Sequence, residues 1–249
     1  MIPLFLIAAA ATPATPPIAS LPGGEPARFA ACVALTRSDP AKAVAEAEFW
    51  ARRATGVPAQ QCLGLAYVAA ERWGPATTAF EQAAARAEAA RDGHAATLWT
   101  QAANAALAAN DATRARDFLD RALALPMQSE VMRGEAKLDR ARADVALDDP
   151  ASARTDLDAG LKLAAADPFA WLLSATLARR QGDLARAEKD VTEAARLAPD
   201  DASVALEAGN IAAAKGVPDA ARLAWSKAVE LAPKDPAGQA AAAALAANR

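Results

Sequence analysis

Between residues 167 and 200 the chain reads DPFAWLLSATLARRQGDLARAEKDVTEAARLAPD, with apolar positions recurring at helical spacing. Trp171 and Ala175 lie four apart and share one helix face. Gly182 and Asp183 interrupt that pattern, because Gly tolerates the left-handed conformation that closes a helix. Ala187, Val191 and Ala194 restart it at four-then-three spacing, the inner stripe of a second helix. Pro199 ends it, since Pro cannot continue a helix without losing a hydrogen bond. The stretch predicts two helices joined by a tight turn. No other segment alternates apolar and polar residues over a strand length, so no sheet is expected.

The same pattern returns along the chain. Thirty-four residues on, Gly209, Gly216, Ala221, Trp225, Ala228 and Pro233 take the places of Ala175, Gly182, Ala187, Val191, Ala194 and Pro199. An earlier copy has Leu63, Gly64, Tyr67, Ala76, Phe80 and Ala83, with Trp73-Gly74-Pro75 expected to form its turn. Two weaker copies carry Trp99, Ala103, Asn110-Asp111, Ala115, Leu119 and Ala122, then Ala141, Asp148-Asp149-Pro150, Ala153, Leu157 and Gly160. A degraded first copy keeps Ala43, Ala47 and Trp50 in its second helix, with Phe29 and Cys32 in its first. Matching positions fall 33, 39, 38, 34 and 34 residues apart, so the long intervals put extra residues near 91–94 and 127–133 as longer helix ends or wider loops. Six such units mean a stack of helix pairs, each burying its apolar face against the next, with an atypical copy at the uncovered end.

Small residues (Gly64, Ala76, Ala83) stand where two helices touch, and large ones (Tyr67, Phe80, Trp171) fill the gaps. This arrangement resembles the tetratricopeptide repeat, strongly in three copies and over most of the chain after residue 24. The resemblance implies an all-α, right-handed superhelical solenoid of about six helix pairs, with the Ala-rich residues 236–249 as a C-terminal capping helix. The expected organisation is a signal peptide over 1–14, a disordered linker over 15–24 and the repeat domain over 25–249.

The resemblance also places the first helix of each pair on a concave face. Helical spacing then puts Phe169, Leu172, Thr176, Arg179 and Arg180 on one face. Glu135, Leu138, Arg142 and Val145 match them in the copy before. Thr97, Thr100, Asn104 and Leu107 lie upstream, and Ser203, Leu206 and Asn210 downstream. The groove candidates are Asn104, Arg142, Phe169, Leu172, Thr176, Arg179, Arg180 and Asn210. Asn pairs with a peptide backbone and Arg grips a carboxylate in bidentate fashion, which points to an extended peptide or an acidic segment. Some members of the family hold a chaperone's C-terminal carboxylate with a Lys/Asn/Arg clamp. Asn104 and Arg142 resemble two parts of it, but Thr100 and Leu138 stand where lysines are needed, so that reading is rejected.

The chain opens MIPLFLIAAAATPATPP. Residues 2–11 form an apolar run too short to span a bilayer and suited to a signal-peptide core, with small residues following for cleavage. No Lys or Arg precedes the run, and a plain apolar tail or a misassigned start is the alternative. The two cysteines, Cys32 and Cys62, stand about one repeat apart, which brings the first helices of neighbouring repeats side by side. A disulfide between them, favoured by export, and two buried thiols are the two readings, with the disulfide expected.

Composition narrows the function. Hydrophobic residues make up 53% and aromatics only 5%, because Ala supplies much of the apolar content and lets helices approach closely. The heavy use of Ala, Arg and Asp with few Lys is associated with GC-rich bacterial genomes. A net charge of −3 with interspersed signs gives no basic stripe for nucleic acid. The only histidine, His94, lacks a partner at metal spacing, and no phosphate loop or nucleophile elbow is present. The acid pairs Asp148-Asp149 and Asp200-Asp201 fall at repeat turns, where Asp caps the next helix. No catalytic residue, cofactor or metal is therefore expected, and no membrane span in the mature chain. The sequence reads as an exported, non-catalytic scaffold of a bacterial envelope or periplasm that holds a protein or peptide in its groove. The alternatives are a homodimer formed through the Ala-rich C-terminal helix, or an enzyme or small-ligand protein with an unrecognised site.

Overall fold

The computed structural model describes residues 24–248. The expected signal peptide and residues 15–23 of the expected linker lie outside the described residues. Thirteen helices and no strand occur among the described residues, and the chain divides into two compact units. The first, ending at Ala83, holds α1 (Gly24–Ser38), α2 (Pro40–Arg53), α3 (Val57–Ala69) and the start of α4 (Trp73–Ala89). The second holds α5 (Ala95–Ala108), α6 (Ala112–Ala124), α7 (Glu130–Ala146), α8 (Pro150–Leu163), α9 (Pro168–Arg180) and α10 (Leu184–Leu197). It continues through α11 (Ala202–Ala214), α12 (Pro218–Leu231) and α13 (Pro236–Ala247). Each helix of this unit packs on the next, and the odd-numbered helices α5, α7, α9 and α11 also lie side by side. That is a helical solenoid of paired helices, closed by α13 lying against both α11 and α12.

The turn between paired helices uses one backbone conformation at one repeat position. Asn110, Asp148, Gly182 and Gly216 all take positive φ, between 57° and 80°. Asn and Asp tolerate this left-handed region and Gly favours it. In the earlier copy Glu71 takes that place with φ 57°. The turn there is therefore residues 70–72, and the expected Trp73-Gly74-Pro75 turn is corrected: those residues form the first turn of α4. Pro is accommodated at that point because the first helical N–H groups have no acceptor within the helix. The residue that caps the second helix is Asp in four of the six pairs, and Asp39, Asp111, Asp149 and Asp183 each accept a backbone N–H three residues on. The extra residues of the long repeat intervals go largely into helix: α4 and α7 have 17 residues each.

The paired helices touch through a size-matched contact. Gly64, Ala103, Ala141, Ala175 and Gly209 occupy the same place on the first helix, opposite Phe80, Leu119, Leu157, Val191 and Trp225 on the second. In this series the two glycines stand opposite the two aromatic residues. A methyl on Gly64 would stand 2.6 Å from the Phe80 ring, and one on Gly209 would collide with Trp225. Trp225, Phe80 and the aliphatic residues of this series are all buried. Close approach of backbones and full burial of the larger partner come from the same pairing.

In the first unit, α1, α2 and α3 enclose a core of Cys32, Ala43, Val44, Ala47, Trp50, Ala59, Cys62 and Ala66. Cys32 and Cys62 are joined as a disulfide, with Cα atoms 6.0 Å apart. The bridge ties α1 to α3 across a sequence separation of 30, worth roughly 3–4 kcal/mol by loop-closure entropy.

Gly209→Ala costs about 1–3 kcal/mol by overpacking against Trp225. Made together with Trp225→Leu, which reproduces the Ala–Leu pairing of α5/α6 and α7/α8, the same change costs close to nothing. Urea unfolding of the four proteins measures this coupling, and an equal cost of Gly209→Ala in both backgrounds would refute the size-matched contact.

Candidate functional site

The side-by-side helices α5, α7 and α9 line a cavity of about 400 Å³ in the second unit. Thr97, Thr100 and Asn104 come from α5, Glu135, Leu138, Asp139 and Arg142 from α7, and Phe169 and Leu173 from α9. Each set recurs at three- and four-residue steps, so every helix presents one stripe to the cavity. Met127, from the lengthened α6–α7 connection, and Met132, from the first turn of α7, supply flexible apolar surface at its rim.

At the centre sits a small polar cluster. Arg142 Nη1 donates to Asp139 Oδ1 at 3.0 Å, and its guanidinium lies 5.2 Å from the centroid of the Phe169 ring. Burial raises the Asp139 pKa, while Arg142 and a hydrogen bond from Asn104 pull it back, and the Asp167 charge adds a further upward push. Asp167 caps α9 by accepting the Phe169 N–H at 2.9 Å. Phe169 stands two residues on in the first turn of α9 and is 50% exposed beside the cavity. A half-exposed aromatic against an immobilised cation is a surface for an apolar side chain and flanking peptide groups.

The other groove candidates are placed differently. Leu172 packs against the core that α9, α10 and α11 share, and Thr176 is half-buried. Arg179 Nε donates to Glu207 Oε1 at 2.6 Å, and Glu207 Oε2 accepts from Asn210 Nδ2 at 3.3 Å. Asn210 Oδ1 in turn accepts from Trp225 Nε1 at 3.1 Å. Arg179 and Asn210 thus belong to one network that joins α9, α11 and α12 around a buried carboxylate. Arg180 lines a separate cleft beside the α7–α8 turn, with Val145, Asp148 and Leu177. Asn104, Arg142 and Phe169 are the candidates the fold brings together. Sequence reasoning missed Asp139, although its position four after Glu135 and three before Arg142 puts it on the same stripe.

A second charged cleft, of about 430 Å³, lies between α6, α7 and α8. Arg140 bridges Asp120 of α6 at 2.7 Å and Asp156 of α8 at 2.5 Å. Further along, Arg186 of α10 pairs with Asp158 of α8 and with Asp190, while Ser174 of α9 donates to Asp190 at 2.5 Å. These pairs lace neighbouring repeats together. Asp144 is the weak link: its Oδ1 is buried with no hydrogen-bond partner, and Arg116 stands 3.8 Å away. Burial first, then the charges of Asp156 and Asp149, push Asp144 up to about 6.

His94 lies exposed at the start of α5, with Nδ1 2.8 Å from Asp92 Oδ1. Among the described residues no group of three His, Cys, Asp or Glu is placed to hold a metal ion, and no helix is long and apolar enough to cross a membrane.

No protein-family model and no curated protein matches the sequence. Solved structures do match the fold. The structure of PilW, a widely conserved type IV pilus biogenesis factor, aligns with TM-score 0.72 at 18% identity, over 86% of this chain and 96% of that one. PilF of Pseudomonas aeruginosa aligns with TM-score 0.68 at 16% identity, over 89% and 99%. YrrB, a TPR protein with an unusual peptide-binding site, aligns with TM-score 0.55 at 19% identity, over 87% and 96%. The chain has the tetratricopeptide-repeat fold.

Because the folded Asp144 pKa, about 6, lies above the ordinary aspartate value of 3.8, ionising it opposes folding above pH 6, and that penalty fades as pH falls toward 4. Asp144→Asn is expected to raise Tm at pH 7.5 and to change it much less at pH 5. Thermal unfolding of both proteins across this range checks it; a pH-independent difference would contradict the assignment.

Proposed function

We propose that this protein is an exported, non-catalytic scaffold that holds an extended segment of another protein in the α5–α7–α9 groove. The observation that carries the reading is Phe169, half-exposed beside a 400 Å³ cavity and flanked by Arg142, which Asp139 holds in place. A large aromatic left uncovered on a solenoid's inner face is the kind of anchor that protein interfaces use. Asn104, on α5, bonds Asp139 but keeps amide groups for a peptide backbone, and the Thr100 hydroxyl, which donates to Ala96 O, can still accept. The likeness to YrrB, a TPR protein with a peptide-binding site, agrees with this reading.

Export is supported by two independent features. The Cys32–Cys62 bridge suits an oxidising compartment, and residues 2–11 have the length and character of a signal-peptide core. The likeness to PilW, a pilus biogenesis factor, is compatible with a role in assembling a bacterial envelope structure. The Ser174 hydroxyl, bonded to Asp190, is fully buried, and His94 is exposed beside Asp92, so neither the hydroxyl nor the imidazole is placed at the groove, which favours binding over catalysis.

Protein purified from its native host without reductant is expected to begin between residues 12 and 15 and to contain no reactive thiol. N-terminal sequencing and thiol titration read both, and an intact Met1 with two reactive thiols would remove the case for export. For the groove, a photo-crosslinking phenylalanine analogue at Phe169 is expected to give a discrete adduct in cells, lost on Arg142→Ala. The same analogue at the exposed Leu223 is expected to give none. Equal labelling from the two positions, or none from either, would count against the groove.

A further inference from the structure

The groove's charge identifies the chemistry of its occupant, and this inference rests on the groove being the binding site. Glu135, Asp139 and Asp167 line the cavity against a single lining cation, Arg142. That cation is already engaged, bonded to Asp139 at 3.0 Å and set beside the Phe169 ring. Asp167 uses one carboxylate oxygen on the Phe169 N–H. Glu135 is exposed and forms no hydrogen bond or ion pair among the described residues. The lining therefore has a formal excess of two carboxylates over cations, beside an apolar rim of Met127, Met132 and Phe169. An acidic segment, expected from Arg142 and the asparagines alone, would bring like charge into this enclosure and be opposed.

We infer that the occupant is an extended polypeptide segment whose Lys or Arg side chain meets Glu135 and Asp167 while a neighbouring apolar side chain rests on Phe169. Complementary charge gives such a segment a faster encounter and a fixed register, and the apolar contact supplies most of the affinity. Nucleic acid and anionic lipid headgroups share the sign of the groove and are disfavoured for the same reason. Burial is the main cause of the raised Asp139 pKa, with a smaller push from Asp167, and an incoming cation would lower it.

The test uses the full chain and three fluorescein-labelled nonapeptides with the repeats Leu-Lys-Ser, Leu-Ser-Ser and Leu-Glu-Ser, followed by anisotropy at low salt. The Lys peptide is expected to bind at least about tenfold more tightly than the Glu peptide, with the advantage shrinking as salt is raised. Glu135→Gln, an exposed change that leaves the fold intact, is expected to narrow that ratio by about two- to fivefold. Phe169→Ala is expected to weaken all three peptides alike. A Glu peptide that binds as well as the Lys peptide overturns the inference, as does a ratio unmoved by Glu135→Gln. In either case, loss of binding in Phe169→Ala would leave the groove reading standing. If none of the three binds, or Phe169→Ala leaves binding unchanged, the groove reading falls and the inference with it.

Discussion

The fold depends on how closely the two helices of each pair can approach. At one repeated position a Gly or Ala on the first helix faces a large apolar residue on the second. Ala opposes Leu119, Leu157 and Val191, and Gly opposes Phe80 and Trp225. Two backbones can pack closely only if one side contributes almost no side chain. The larger partner then fills the remaining space and removes its apolar surface from water. Ala-rich composition is thus a condition of this packing, and it explains how a chain with few aromatics still buries its helix contacts.

Close pairing leaves the first helices of neighbouring repeats side by side, so α5, α7 and α9 share one surface. The outer faces are held by ion pairs that cross repeats: Asp120–Arg140–Asp156, then Asp158–Arg186–Asp190. Partly buried pairs in a connected network specify one stacking geometry more than they add stability. On the surface shared by α5, α7 and α9, Phe169 stays half-exposed and Arg142 is held by Asp139. Asp144 marks the cost of this charged packing, since it is buried without a hydrogen-bond partner on Oδ1.

The groove shows where one-dimensional reasoning works and where it stops. Helical spacing put Asn104, Arg142 and Phe169 on inward stripes, and the fold gathers all three at one cavity. The same spacing also named Arg179 and Asn210, which the fold commits to Glu207 and Trp225. Arg179 reaches a carboxylate 28 residues away, a separation that matches no multiple of the repeat, so no periodic reading reveals it. The sign of the groove was hidden for a related reason. Arg142 suggests a positive site until Asp139, on its own helix, is joined at the cavity by Asp167 from the start of α9.

By itself the sequence determined the helices, their pairing and their order. Those follow from local physics: apolar periodicity, Gly and Asn or Asp at left-handed turns, Asp caps, and Pro in first turns. It also placed Cys32 and Cys62 about one repeat apart, near enough to be joined. Only the tertiary structure decided which Arg and Asp side chains meet across repeats, which polar groups are spent on stability and which remain at the cavity. Those outcomes depend on distances between residues of different repeats, where a long flexible side chain chooses among several partners of similar charge. Helix formation is local, and the character of the groove is not.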